Sequence, residues 1–125
     1  MHTGDMFQRK NVPAVNAGDG GSGIAFAQTV ARAAAGIRNV DTVIPGHSNA
    51  VLTWADFTAF VDFYQDFLSG AQKGLAAGKS VDDVARAYRV PDQFKAKGFT
   101  TDKPALHEQR VKALVQTISD EMKKR

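Results

Sequence analysis

The chain has 125 residues, 43% of them hydrophobic and 23% charged, with a formal net charge of +3. These values are typical of one globular domain with a single core. The charge is too small to indicate a nucleic-acid-binding protein, and much of it comes from the last three residues. The absence of cysteine excludes a disulfide framework and a thiolate site, and composition does not indicate a compartment. No apolar run is long enough to cross a bilayer, and no secretory signal pattern opens the chain.

The N-terminal segment His2–Phe7 places Asp5 directly after a glycine. A turn-rich stretch with many glycines follows it. Ser22 is a suitable N-cap for the alanine-rich helix that we predict over residues 23–35, and Gly36 is a suitable stop.

The segment Val40–His47 predicts a second strand. Its Val43-Ile44 pair favours a buried strand, Pro45-Gly46 ends that strand, and His47 follows immediately. A strand–helix–strand crossover predicts a parallel pair, so we expect Asp5 and His47 to meet at one edge of a small sheet.

The residues after His47 predict a loop over residues 48–52. In that loop, Ser48 and Asn49 lie beside the histidine. They are candidates for orienting a substrate or the imidazole, and the alternative is that they only cap the loop.

Residues 53–125 predict a helical tail. Thr53 opens its clearest helix with a capping box that uses Asp56. Apolar residues recur at three-and-four spacing and predict the buried face of this helix. They are Phe57, Phe60, Val61, Tyr64, Phe67, Leu68, Ala71 and Leu75. Phe63 lies outside the stripe, so it either widens the buried face or contacts a partner.

Two more helices follow in the tail. A second capping box begins at Ser80, and Pro91 limits the helix that it starts. We predict an irregular connection over residues 92–103 and a last helix that opens at Pro104. His107, in the first turn of that helix, is predicted to be a surface or interface histidine.

Asp5 and His47 are residue types that bind zinc or a related divalent metal, since carboxylate oxygen and imidazole nitrogen are both zinc donors. One aspartate and one histidine do not make a site by themselves. His2 is a further candidate ligand. It lies three residues before Asp5 and would point to the opposite face of a strand, so its participation requires a bend.

The segments Thr3–Phe7, Gly20–Ser22 and Asn39–His47 together resemble the C-terminal half of the metallo-β-lactamase fold hydrolases. The resemblance implies that Asp5 bridges two metal ions, zinc being the usual metal, and that His47 ligates the second one. It also implies a metal-activated water that attacks an ester, amide, lactone or phosphoester bond of a small-molecule substrate. The family's His-x-His-x-Asp-His motif does not occur in this chain, so the implied site is incomplete.

The predicted fold is a single α/β domain over residues 1–125. A small, mostly parallel β-α-β sheet over residues 1–52 carries the half-site, and residues 53–125 form the helical tail. This is about half of an αββα sandwich, so we expect an uncovered sheet face. A homodimer, or a missing N-terminal half, would cover that face, and a dimer would bring two Asp5/His47 pairs together.

Two other functions are open from the sequence. One is a non-catalytic, oligomerising fragment. The other is a helix-turn-helix DNA-binding module over residues 80–91, which is less favoured because residues 91–98 are short for a recognition helix. No membrane association is predicted.

Overall fold

The computed structural model describes residues 1–99 and 104–124, which form an α/β fold with five α-helices and a three-stranded sheet. The strands are β1 His2–Gly4, β2 Thr42–Pro45 and β3 Leu52–Thr53. The helices are α1 Gly23–Gly36, α2 Trp54–Ala76, α3 Val81–Ala87, α4 Asp92–Lys95 and α5 Pro104–Lys123. Single 3-10 turns lie at Asp5–Phe7 and Ala17–Asp19. None of the helices in these described ranges has both the length and the apolar character required to cross a membrane. The predicted α/β class is confirmed.

The sheet is mixed, with the strand order β1-β2-β3. Strand β1 pairs parallel with β2, as the crossover predicts, whereas β3 pairs antiparallel with β2. The loop predicted over residues 48–52 is therefore wrong at its end, because Leu52 pairs with Val43 in β3. Two residues are too few to produce the alternating pattern by which a strand is predicted.

Strand β2 alternates between a covered and an uncovered face. Val43 is fully buried, while Ile44 keeps 48% of its surface exposed. The prediction that both residues are buried is therefore wrong for Ile44. Successive side chains of a strand point to opposite faces, and among the described residues only one face of this sheet is covered.

The aromatic face of α2 supplies the core, as its spacing predicts. The buried stripe residues are Phe57, Phe60, Tyr64, Phe67, Leu68 and Ala71. Phe63 is also buried, where its ring stacks on Phe99 at 4.7 Å and meets Phe94 edge-on at 5.5 Å. Phe63 therefore widens the buried face. The capping box is confirmed, since Thr53 and Asp56 exchange both of its hydrogen bonds.

Helices α1 and α5 are joined at the N-terminus of α1. Ser22 caps α1, as predicted, by accepting a hydrogen bond from Ala25 N. The Glu121 carboxylate of α5 accepts hydrogen bonds from Ser22 Oγ and Gly23 N, both at 2.6 Å. The Tyr64 hydroxyl donates to the Gly23 carbonyl oxygen, also at 2.6 Å. Burial raises the pKa of the Tyr64 hydroxyl, and the nearby Glu121 carboxylate raises it further.

The two tyrosines give a matched pair of predictions. Tyr64→Phe removes a buried donor and leaves the Gly23 carbonyl without it, so we expect a loss of about 1–2 kcal/mol in the free energy of unfolding. The Tyr88 hydroxyl is buried and finds no hydrogen-bond partner among the described residues. Tyr88→Phe should therefore change stability by less than about 0.5 kcal/mol or increase it. Urea denaturation of both variants measures the difference, and equal losses would contradict the hydrogen-bond assignment.

Helix α4 lies in the segment predicted to be irregular. The Pro91 carbonyl accepts hydrogen bonds from Phe94 N and Lys95 N, and the Phe94 side chain is buried. That prediction is therefore wrong for Asp92–Lys95, because four residues cannot show a helical repeat. The last part of the predicted connection, residues 100–103, lies outside the described residues.

The prediction of a surface or interface position for His107 is also wrong. The side chain is buried within the chain, its Nδ1 lies 2.9 Å from Asn11 Oδ1, and its ring stacks on Tyr88 at 5.9 Å. The partner residues are 96 and 19 positions away in sequence (107 − 11 and 107 − 88), so no local pattern could indicate them. Burial lowers the pKa of His107, and the positive charge of Arg110 lowers it further.

Candidate metal centre

Backbone hydrogen bonds hold the two predicted site segments side by side. The Gly46 N–H donates to the Phe7 carbonyl at 3.2 Å, and the His47 N–H donates to the Gln8 carbonyl at 3.1 Å. On the strand side, Ile44 N–H donates to the Met1 carbonyl at 2.8 Å. These bonds continue the β1–β2 pairing beyond the two strands. The 3-10 turn after β1 and the residues after β2 therefore lie side by side.

Two glycines make this close approach possible. Gly4 has φ of +53°, a backbone conformation that favours glycine, and it turns the chain from β1 into the turn that carries Asp5. At Gly46 a Cβ atom would lie 2.7 Å from the Gly4 carbonyl carbon and 3.0 Å from Asp5 Oδ1. A side chain at position 46 would therefore collide with the turn and displace the carboxylate.

An aromatic contact and side-chain hydrogen bonds hold the 3-10 turn Asp5–Phe7 in place. Phe7 is fully buried, and its ring stacks on Phe60 of α2 at 4.6 Å. The Thr3 hydroxyl lies 3.1 Å from the Phe7 carbonyl and 3.3 Å from the Ile44 carbonyl, to which it donates hydrogen bonds. Thr3 was not predicted to be a positioning residue, because a single threonine carries no recognisable spacing. Phe7 did have a signal, an apolar side chain directly before a polar, turn-rich stretch.

Asp5 and His47 are in contact, as predicted. His47 Nε2 lies 2.8 Å from Asp5 Oδ1, with 52% of the histidine side chain and 75% of the aspartate side chain exposed. Exposed pairs of this kind contribute only about 0–1 kcal/mol to stability, because water screens both groups. The pair is therefore accessible to a ligand, and its loss should have little effect on folding.

The remaining predicted site residues do not join this pair into a cluster. His2 Nδ1 accepts a hydrogen bond from Gly4 N–H at 3.1 Å. Ser48 Oγ accepts a hydrogen bond from Ala50 N–H at 3.1 Å, so Ser48 caps the loop, which was the alternative to a role in orienting a substrate. Asn49 is exposed. Within residues 1–99 and 104–124, no group of three or more histidine, cysteine or acidic side chains is arranged to hold a metal ion.

The donor set fits zinc in type but not in number. A carboxylate oxygen and an imidazole nitrogen are suitable ligands. Their 2.8 Å separation is that of a hydrogen bond, and the two atoms would have to move to about 3.3 Å apart to share one tetrahedral zinc ion. Zinc takes three or four protein ligands in nearly all stable sites, and two would hold it weakly. The described part of the chain therefore supplies only two of the donor groups that a stable zinc site requires.

An apolar surface lies on the uncovered face of the sheet. Ile44 follows Val43 in β2, and Val51 precedes Leu52 next to β3, so the Val43–Leu52 pairing makes Ile44 and Val51 cross-strand neighbours. Their exposed fractions are 48% and 72%, and they are the exposed large hydrophobic residues of the described chain. Pairs of large apolar side chains left in water often mark an interaction surface.

The structure thus defines a small α/β domain with an exposed carboxylate–imidazole pair at one edge of its sheet. No family model, curated protein or solved structure matches the chain.

Proposed function

We propose that this chain is the C-terminal part of a metal-dependent hydrolase of the metallo-β-lactamase type, with Asp5 and His47 as ligands of a divalent metal, zinc in the first instance. The observation that carries the proposal is the 2.8 Å contact between two zinc-donor side chains that are 42 residues apart in sequence. Backbone hydrogen bonds and two glycines are arranged so that this contact forms.

The uncovered sheet face supports the finer description of the fold as about half of an αββα sandwich. Helix α2 packs against one face of the sheet, where Val43 and Leu52 are buried, and Ile44 and Val51 lie exposed on the other. A second sheet packed on that face would cover both side chains. The second sheet would come from an N-terminal half of the protein or from a second copy of this chain.

The residues have distinct roles in this proposal. Asp5 and His47 supply donor atoms, while Gly46, Phe7 and Thr3 hold the two segments that carry them. When bound, the metal would activate water for attack on an ester, amide, lactone or phosphoester bond. The described residues do not complete the ligand set, so the remaining ligands would come with the second sheet.

Zinc analysis tests the proposal. Zinc binding to the chain is measured by equilibrium dialysis over a range of zinc concentrations, alongside the near-isosteric variants Asp5→Asn and His47→Gln. We expect each variant to lower the zinc affinity at least about tenfold, because one of two ligands is lost, with the unfolding free energy changed by less than about 1 kcal/mol. His2→Gln is the matched histidine control. Zinc binding that survives both Asp5→Asn and His47→Gln would contradict the proposed ligands.

The second candidate function is a non-catalytic oligomerising domain, which the exposed Ile44 and Val51 side chains favour. Light scattering during gel filtration distinguishes the two functions when Ile44→Glu is compared with wild type. A dimer that dissociates in Ile44→Glu, in a protein that binds no zinc, would support this second function. A dimer that binds zinc through Asp5 and His47 would support the hydrolase.

The helix-turn-helix alternative receives little support. Helix α3 is followed by α4, which spans only Asp92–Lys95. A recognition helix must place several side chains along the major groove, and a single turn is too short for that.

A further inference from the structure

A second candidate site lies between the end of α3, helix α4 and the beginning of α5. It is a recess of about 310 Å³. Its lining includes three cationic side chains, Arg86, Arg89 and Lys95, and the ring of His107. Among the described lining residues Glu108 carries the one carboxylate. Its volume is at the lower end of the range for small-ligand sites, roughly 300–1,000 Å³. None of its residues belongs to the Asp5/His47 pair.

Carboxylates of the described chain lie near these cations, namely Glu108 in the recess and Asp82, Asp92 and Asp66 around it, and two of them neutralise the cations only in part. Lys95 Nζ lies 3.9 Å from Asp92 Oδ1, a long contact between exposed groups. Asp82, a carboxylate of α3 near Arg86, pairs with Lys112 at 2.7 Å. The described lining of the recess has three cationic residues and one carboxylate, Glu108, so an anion in the recess would be stabilised.

Arg89 is held in place by the backbone. Its Nη1 donates to the Arg86 carbonyl at 2.8 Å and to the Tyr88 carbonyl at 2.7 Å. The guanidinium has five N–H donors in a fixed planar geometry, so those on its other nitrogens remain for a ligand. A preorganised guanidinium loses little conformational entropy when it binds an anion.

His107 adds an oriented ring to the same recess. Asn11 Oδ1 accepts a hydrogen bond from Val12 N–H at 2.7 Å, which identifies it as the amide oxygen, so His107 Nδ1 donates to it at 2.9 Å. In the neutral ring Nε2 then carries the lone pair, so His107 lines the recess without donating a hydrogen bond to a phosphate oxygen. Tyr88, whose ring stacks on His107, lines the recess with the apolar side chains of Ala85 and Val90.

We propose that this recess binds a small phosphomonoester, with the phosphate held by Arg86, Arg89 and Lys95 and the carbon part packed on Tyr88 and its apolar neighbours. Arginine and lysine are the residues that most often bind phosphate oxygens, and arginine does so through two parallel hydrogen bonds. The apolar wall makes an organic phosphate a better ligand than inorganic phosphate. The proposal is independent of the metal site.

Nuclear magnetic resonance titration with phenyl phosphate at constant ionic strength tests the proposal. We expect saturable shifts of the His107 imidazole and the Tyr88 ring, and weaker binding of inorganic phosphate. Arg86→Ala and Lys95→Ala should each weaken the affinity for phenyl phosphate about fivefold to tenfold, since each removes a charged contact. Arg32→Ala, which removes the same charge from an exposed position on α1, should change it less than about twofold.

The absence of a saturable shift at millimolar phenyl phosphate would overturn the proposal. It would also fail if Arg32→Ala weakened binding as much as Arg86→Ala, because the anion would then respond only to net charge. Thermal unfolding of each variant shows that the affinity is compared between folded proteins. Asp5→Asn, which removes the proposed metal ligand, should leave phenyl phosphate binding unchanged.

Discussion

Phe7→Ala is expected to lower the free energy of unfolding by about 3–5 kcal/mol, the largest effect of any substitution at the sheet edge. The Phe7 ring is fully buried between the sheet edge and α2, stacked on Phe60 at 4.6 Å and tilted against Phe57 at 5.9 Å. Truncation removes these contacts and leaves a cavity beneath the turn that carries Asp5. Urea denaturation followed by circular dichroism measures the change.

Val51→Ala is the control for Phe7→Ala. Its side chain is also apolar and lies next to strand β3 of the same sheet, but 72% of its surface is exposed. We expect a change of less than about 0.5 kcal/mol. A Phe7→Ala loss below about 1 kcal/mol would show that the turn is not anchored through this ring.

Glu121→Ala is expected to lower the free energy of unfolding by about 2–3 kcal/mol. Its carboxylate accepts hydrogen bonds from Ser22 Oγ, Gly23 N and Ile24 N, the last at 3.3 Å, at the positive end of the α1 dipole. These contacts join residues nearly 100 positions apart, so their loss separates α5 from the start of α1 and leaves partly buried backbone donors without partners. Thermal and chemical denaturation both report the loss.

Asp120→Ala provides the matched comparison for Glu121. Asp120 is the preceding acidic residue, is exposed, and accepts one hydrogen bond from Gln116 within the same helix at 2.9 Å. Its removal should cost less than about 0.5 kcal/mol. If both alanine variants had the same stability, the contact between Glu121 and the start of α1 would not be stabilising.

The elements that the sequence predicted best are those with a local signal. Ser22 and Thr53 are capping residues whose partners lie three positions away, and the α2 stripe repeats over several turns. The meeting of Asp5 and His47 was also predictable, because Gly-Asp and Pro-Gly-His each follow a strand and the helix between them implies a parallel crossover.

The features that could not be predicted from the sequence are either very short or depend on distant partners. Strand β3 and helix α4 are two and four residues long, too short for periodicity to indicate them. The burial of His107 depends on Asn11, which lies at the other end of the chain. The role of Glu121 also depends on a distant partner, because it follows from the contact with Gly23. Within α5 the sequence shows Glu121 only as one of several acidic residues.

The measurement that tests the central claim most directly is the ¹⁵N spectrum of the imidazoles during a zinc titration. If Asp5 and His47 hold the metal together, the Nε2 resonance of His47 shifts with zinc, and Asp5→Asn removes the shift while the protein stays folded. A His47 resonance that does not respond to zinc in the wild-type chain, or responds equally in Asp5→Asn, would contradict a metal site built on this pair.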